Sequence, residues 1–121
     1  MHPRGEREKI MREVTATEVA EVLDAAVDLY ESGTYGWVQG KYEYRPPNGG
    51  MFQRCFLGIL DAATYETGKS VIAYDRVRSV VVDTISAEIG NIAAWNDNPE
   101  RTLDEVIELM RSIAKDLRNS Q

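Results

Sequence analysis

Tyr35-Gly36-Trp37-Val38-Gln39-Gly40-Lys41-Tyr42-Glu43-Tyr44, followed by Arg45 and then Pro46-Pro47-Asn48-Gly49-Gly50, is the stretch that separates an α+β chain from a helical bundle. Aromatic and β-branched residues replace the helical spacing that precedes them, and a dense Pro/Gly turn signal follows. The pattern predicts a β-hairpin. Val38, Tyr42 and Tyr44 would face one side of its first strand, Trp37, Gln39, Lys41 and Glu43 the other, with Met51 to Cys55 returning. A two-stranded ribbon is marginal by itself, so one face has to pack on helices.

Helical signals lie on both sides. Thr15 and Glu18 have capping-box spacing, and Val19, Val22, Leu23, Ala26, Val27 and Tyr30 then recur on one helical face until Gly33 supplies a stop. After the hairpin, Cys55 to Tyr65 reads as a central, apolar helix ending at Thr67-Gly68. Ser70 can cap a following helix on which Tyr74, Val77, Val81, Ile85 and Ile89 keep the helical step, although the run Val80-Val81-Val82 would also suit a strand. Gly90-Asn91 interrupts it, and Ile92 to Trp95 reads as one further turn. The last helix has the clearest pattern: Thr102 and Glu105 form a second capping box, and Leu103, Val106, Ile107, Met110, Ile113, Ala114 and Leu117 make its stripe. The fold expected is therefore mostly helical α+β, with about four helices, one small antiparallel β-hairpin and the last helix packed back on the first. An all-α bundle with an irregular loop is the alternative. Residues 1–14 are expected to be an N-terminal arm or a helix extension, 15–118 a single globular domain and 119–121 a tail.

Composition narrows the function classes. The 121 residues carry 14 basic and 20 acidic side chains, a formal charge of -6, which opposes counterion-release binding to DNA or RNA. Carboxylates interspersed with Lys and Arg also do not make a phosphate-like array. A single cysteine, Cys55, and a single histidine, His2, exclude an intramolecular disulfide and a zinc-type Cys/His cluster, and suit a reducing cytoplasm. No apolar run approaches the length of a membrane span, and Met1 to Glu13 lacks a signal-peptide hydrophobic region. A cytoplasmic protein with no cofactor, no nucleic acid and no membrane partner is expected.

Both tryptophans sit in polar, turn-rich settings, Gly36-Trp37-Val38-Gln39-Gly40 and Ala94-Trp95-Asn96-Asp97-Asn98-Pro99-Glu100-Arg101-Thr102. If the hairpin lies across the helices, Trp37, Gln39, Trp95, Asn96, Asp97 and Arg101 converge as a polar-apolar pocket for a ligand or partner. The same residues could instead be a structural lock, with the indoles packed inside and Asp97 pairing Arg101 across an Asx turn. The oxygen-rich run Asn96 to Glu100 lacks the ligand periodicity of a calcium loop. Gln39 with Cys55 at a helix start resembles the oxyanion glutamine and nucleophile of papain-like enzymes, but His2 offers no base there, so Cys55 reads as a small buried hydrophobe. No complete catalytic or metal constellation is present.

Trp37-x-Gln39-Gly40, Cys55-x-x-Gly58, and Trp95-Asn96-Asp97 followed by Arg101-Thr102 before a Glu-Val-rich helix together resemble a small uncharacterised domain family of actinobacteria and the phages that infect them. The resemblance covers roughly residues 17 to 117, and Trp-Asn-Asp with Arg-Thr is its most specific element. It implies no established activity, and it raises a phage-associated role in binding a host protein. The expectation is a non-enzymatic protein-interaction module whose partner is a protein, another copy of the chain included. The alternative is a small-ligand binder or enzyme with its pocket between the two Trp segments.

Overall fold

The structure is a computed structural model that describes residues 14–67 and 71–120. The arm or extension expected before residue 14, the His2 side chain, the Gly68 stop and the Ser70 cap lie outside the described residues.

Local signals account for most of the helices. In α1 (Ala16–Glu31), the Glu18 N–H donates to the Thr15 hydroxyl at 3.1 Å and the Thr15 N–H donates to the Glu18 carboxylate at 3.2 Å, completing the capping box. The helix buries the apolar face read from its spacing, and Gly33 closes it by donating to the Tyr30 carbonyl at 3.2 Å. α2 (Phe56–Glu66) is the central helix, with Phe56, Ile59, Leu60 and Ala63 fully buried. The β-branched run falls within α3 (Val71–Ile89), where Val77, Val81 and Ile85 stand four residues apart and are buried. Burial of that stripe outweighs the strand preference of three successive valines. α4 (Ile92–Asn96) is the single further turn, capped by Asn91, whose side chain accepts the Ala94 N–H at 2.8 Å. α5 (Leu103–Asn119) begins at the second capping box, Thr102 with Glu105.

α5 returns antiparallel to α1. Arg111 pairs with Glu31 at 2.5 Å and Arg118 with Asp24 at 2.6 Å, so advancing along α5 means retreating along α1. Both pairs are exposed and fix register more than they stabilise. Between the helices, Val22, Leu23, Val106 and Met110 are fully buried in one hydrophobic cluster that also takes in Phe56, Leu60, Val81 and Ile85. No helix among the described residues is long and apolar enough to cross a membrane.

The ribbon holds more than the expected hairpin. β2 (Glu43–Tyr44) and β3 (Gln53–Arg54) are antiparallel across the Pro46–Gly50 turn, as read, with Glu43 opposite Arg54 and Tyr44 opposite Gln53. The first strand does not run unbroken from Tyr35 to Tyr44. Its start is a separate strand, β1 (Gly36–Trp37), that pairs parallel to β3, giving a three-stranded mixed sheet of order β1-β3-β2. The break follows from competition for backbone groups. The Val38 carbonyl and the Gly40 N–H bond to Asn96 and Asp97 instead of to a neighbouring strand, and Gly40 turns the chain at φ +79°, a conformation that favours glycine.

Candidate functional site

The two Trp segments do converge, and what they form is a hydrogen-bond network centred on Asn96. The Asn96 side chain is fully buried. Its Oδ1 accepts the Trp37 indole N–H at 2.6 Å and the Phe56 N–H at 3.2 Å, while its Nδ2 donates to the Val38 carbonyl at 3.1 Å and to Asp97 Oδ1 at 3.0 Å. An amide group has two donor and two acceptor positions, and all are used. The Gln39 amide donates to the Asn96 and Asn98 carbonyls, each at 2.8 Å, and Asp97 Oδ1 accepts the Gly40 N–H at 2.8 Å.

Arg101 does not pair with Asp97 as the turn reading expected. Its guanidinium lies over the Trp95 ring at 3.6 Å, its Nε donates to the Trp95 carbonyl at 3.0 Å, and its Nη1 reaches Glu105 at 3.2 Å. Stacking on the half-buried indole directs the planar group toward α5 and away from Asp97. On its other side Trp95 tilts against Phe56, with ring centroids 5.7 Å apart. A hollow of about 190 Å³ beside this network is bordered by Gly40, Tyr42, Cys55, Leu57, Asn96 and Asp97. That is smaller than most small-molecule sites.

Cys55 is buried and caps α2, its sulfur accepting the Gly58 N–H at 3.5 Å. Burial pushes its thiol pKa up, opposed in part by N–H groups at the helix start, so the reactive thiolate is disfavoured. Gly58 also has a steric role: a Cβ there would stand 2.8 Å from the Tyr42 carbonyl oxygen and 3.2 Å from Arg54 Cβ. The Cys-x-x-Gly element thus starts α2 and lets the sheet backbone lie directly on it.

A second site lies around Arg54, where sequence reasoning placed none. Tyr35, Tyr42, Arg54, Asp61, Tyr65 and Tyr74 line a cleft of about 370 Å³, together with Ala62 and Glu66. The Arg54 guanidinium stands 5.2 Å from the Tyr35 ring centre, 5.3 Å from that of Phe52 and 5.8 Å from that of Tyr42. Arg54 also bonds the Gly58 carbonyl at 3.3 Å and pairs with Glu43 at 3.5 Å. Its backbone is held from the core side by the Tyr30 hydroxyl, which donates to the Arg54 carbonyl at 2.7 Å. At the cleft floor, Asp61 accepts the Tyr42 hydroxyl and Arg78 Nε, the latter at 2.7 Å, and its carbonyl accepts the Tyr74 hydroxyl at 3.5 Å. Desolvation and then the Asp61 charge raise the pKa of both phenols, keeping them neutral donors. On the rim, Tyr65 is 73% and Tyr42 45% exposed.

This arrangement offers aromatic faces, phenol hydroxyls and a fixed Arg/Asp pair, and no base paired to a nucleophile. Its lining comes from β3, α2, α3 and the residues just before β1 and β2, so no short motif announces it. A usable signal was the concentration of tyrosine at 35, 42, 65 and 74 beside helix ends and turns.

The model of a family of unknown function (DUF6197) matches residues 14–116, and the chain belongs to that family. No curated protein and no solved structure matches it.

Proposed function

For this member of a family of unknown function, we propose a non-enzymatic protein-interaction module that works in the cytoplasm and docks a segment of a partner protein in the Tyr35/Tyr42/Arg54/Asp61/Tyr65/Tyr74 cleft. One observation carries the reading: the cleft is open and lined by exposed tyrosine beside arginine, the residue types that dominate binding energy at protein interfaces. The resemblance of the Trp-Asn-Asp…Arg-Thr element to domains of actinobacteria and their phages supports a phage-associated role with a host protein as partner.

The alternative, a small-ligand site between the two Trp segments, has weaker support. The Gln39 amide nitrogen and both ends of the Asn96 amide are bonded inside the protein. In the docking-cleft reading Trp37, Gln39, Trp95, Asn96, Asp97 and Arg101 hold the frame on which the cleft is built.

The test is capture of a partner from an actinobacterial lysate by the wild-type chain and by Tyr65→Ala in parallel. A protein retained by the first and lost by the second, with the variant folded, supports the module. Equal retention removes the cleft from the reading.

A further inference from the structure

The cleft's own chemistry narrows what a partner must bring to it. We propose that it receives a cationic side chain, arginine or lysine, from the docked segment; the inference rests on the reading of the cleft as the docking surface.

The two arginines that face the cleft are each paired with a carboxylate. Arg54 faces Glu43 at 3.5 Å and Arg78 faces Asp61 at 2.7 Å. Glu66, on the lining, is exposed and has no ion-pair partner among the described residues. The lining charge left after pairing is negative, in a chain whose formal charge is -6. Such a field draws a basic segment toward it and repels an acidic one.

The rings point the same way. This region of the fold repeatedly sets a cation over an aromatic face: Arg54 over Tyr35 and Phe52, Lys41 over Tyr44 at 4.8 Å, and Arg45 over Phe52 at 4.9 Å. Tyr65 and Tyr74 line the same cleft, and no cation of the described residues lies over either ring. An incoming guanidinium or ammonium gains the ring quadrupole and the nearby carboxylate together. An anion finds no equivalent. Arg54 Nε, a buried nitrogen with no hydrogen-bond partner among the described residues, is itself covered from solvent.

The experiment is a titration of the ¹⁵N-labelled full chain with three blocked tripeptides, acetyl-Gly-X-Gly-amide with X as Arg, Leu or Glu, followed by amide chemical shifts. The Arg peptide is expected to shift Tyr42, Tyr65, Glu66 and Tyr74 saturably, with an affinity about fivefold above that of the Leu and Glu peptides. Glu66→Gln should weaken it severalfold, while Glu108→Gln, an equal charge change on α5, should leave it unchanged. Similar cleft shifts with all three peptides would overturn the cationic preference and leave the docking surface standing. Shifts with none of them, or shifts confined to Glu31, Asp104 and Glu108, which line a separate hollow with Arg111, would overturn the cleft reading as well.

Discussion

The Trp37 indole N–H donates to Asn96 Oδ1 at 2.6 Å across 59 positions of sequence, and that bond ties the sheet to the end of α4. Because Asn96 also holds the Phe56 N–H and the Val38 carbonyl, one side chain joins three separate parts of the chain. Its loss should cost far more than an average contact.

Asn96→Ala is expected to lower stability by at least about 3 kcal/mol, since it leaves several buried groups without partners at roughly 1–3 kcal/mol each. Asn96→Asp should also destabilise, because it removes the donor to Val38 and sets a second carboxylate beside Asp97. Urea unfolding followed by tryptophan fluorescence measures both. Stability unchanged within error in Asn96→Ala would show that the network is dispensable.

Gly58→Ala should destabilise by about 1–3 kcal/mol, as overpacking does when backbone must move. The added methyl would meet the Tyr42 carbonyl at 2.8 Å, and Tyr42 belongs to the cleft. The variant should therefore lose partner retention along with stability. Thermal melts and the tripeptide titration read the two effects separately.

What was legible in the sequence was local. Thr15 with Glu18 and Thr102 with Glu105 each act within three residues, so spacing alone locates the starts of α1 and α5. The apolar stripes of α1 and α5 were equally plain, and their charge pairs confirm the antiparallel return. The convergence of Trp37, Gln39, Asn96 and Asp97 was anticipated, but spacing could not tell a pocket from a lock. That distinction depends on which groups end up bonded to which, over 57 to 59 positions. The same long-range bonds take up the Val38 carbonyl and the Gly40 N–H, where the expected strand is interrupted. The cleft was illegible for a related reason: Arg54, Asp61 and Tyr74 come from β3, α2 and α3, and only the folded sheet brings them together.

Alkaline pH should destabilise the fold. Burial raises the Tyr30 hydroxyl above its ordinary value of 10.0 and the Cys55 thiol above 9.0. For both groups the neutral form is favoured in the folded state, so their contribution is complete below the ordinary values and is lost as pH rises through the folded ones. The unfolded chain releases these protons first, and stability should fall from about pH 9 upward. Urea midpoints between pH 7 and 10.5 would show the decline, and Cys55→Ala should reduce its onset near pH 9. Consistent with a buried thiol, iodoacetamide at pH 8 should alkylate Cys55 only as fast as the protein opens.

Gln39→Ala and Tyr65→Ala should separate frame from contact surface. Gln39 links the sheet to the Asn96 and Asn98 carbonyls, so its truncation is expected to cost about 1–2 kcal/mol of stability. Tyr65 is 73% exposed, so truncation should change stability by less than about 0.5 kcal/mol while weakening partner binding by about tenfold or more. Thermal melts and binding of the captured partner, measured on both variants, give the comparison.

The most direct test of the central claim is amide hydrogen exchange across the full chain, with and without the captured partner. Docking in the cleft predicts added protection in peptides covering residues 42–45, 61–66 and 73–78, and unchanged exchange across 94–101. Protection concentrated at 37–40 and 94–101, with the cleft peptides unchanged, would contradict the account and return the binding site to the two Trp segments.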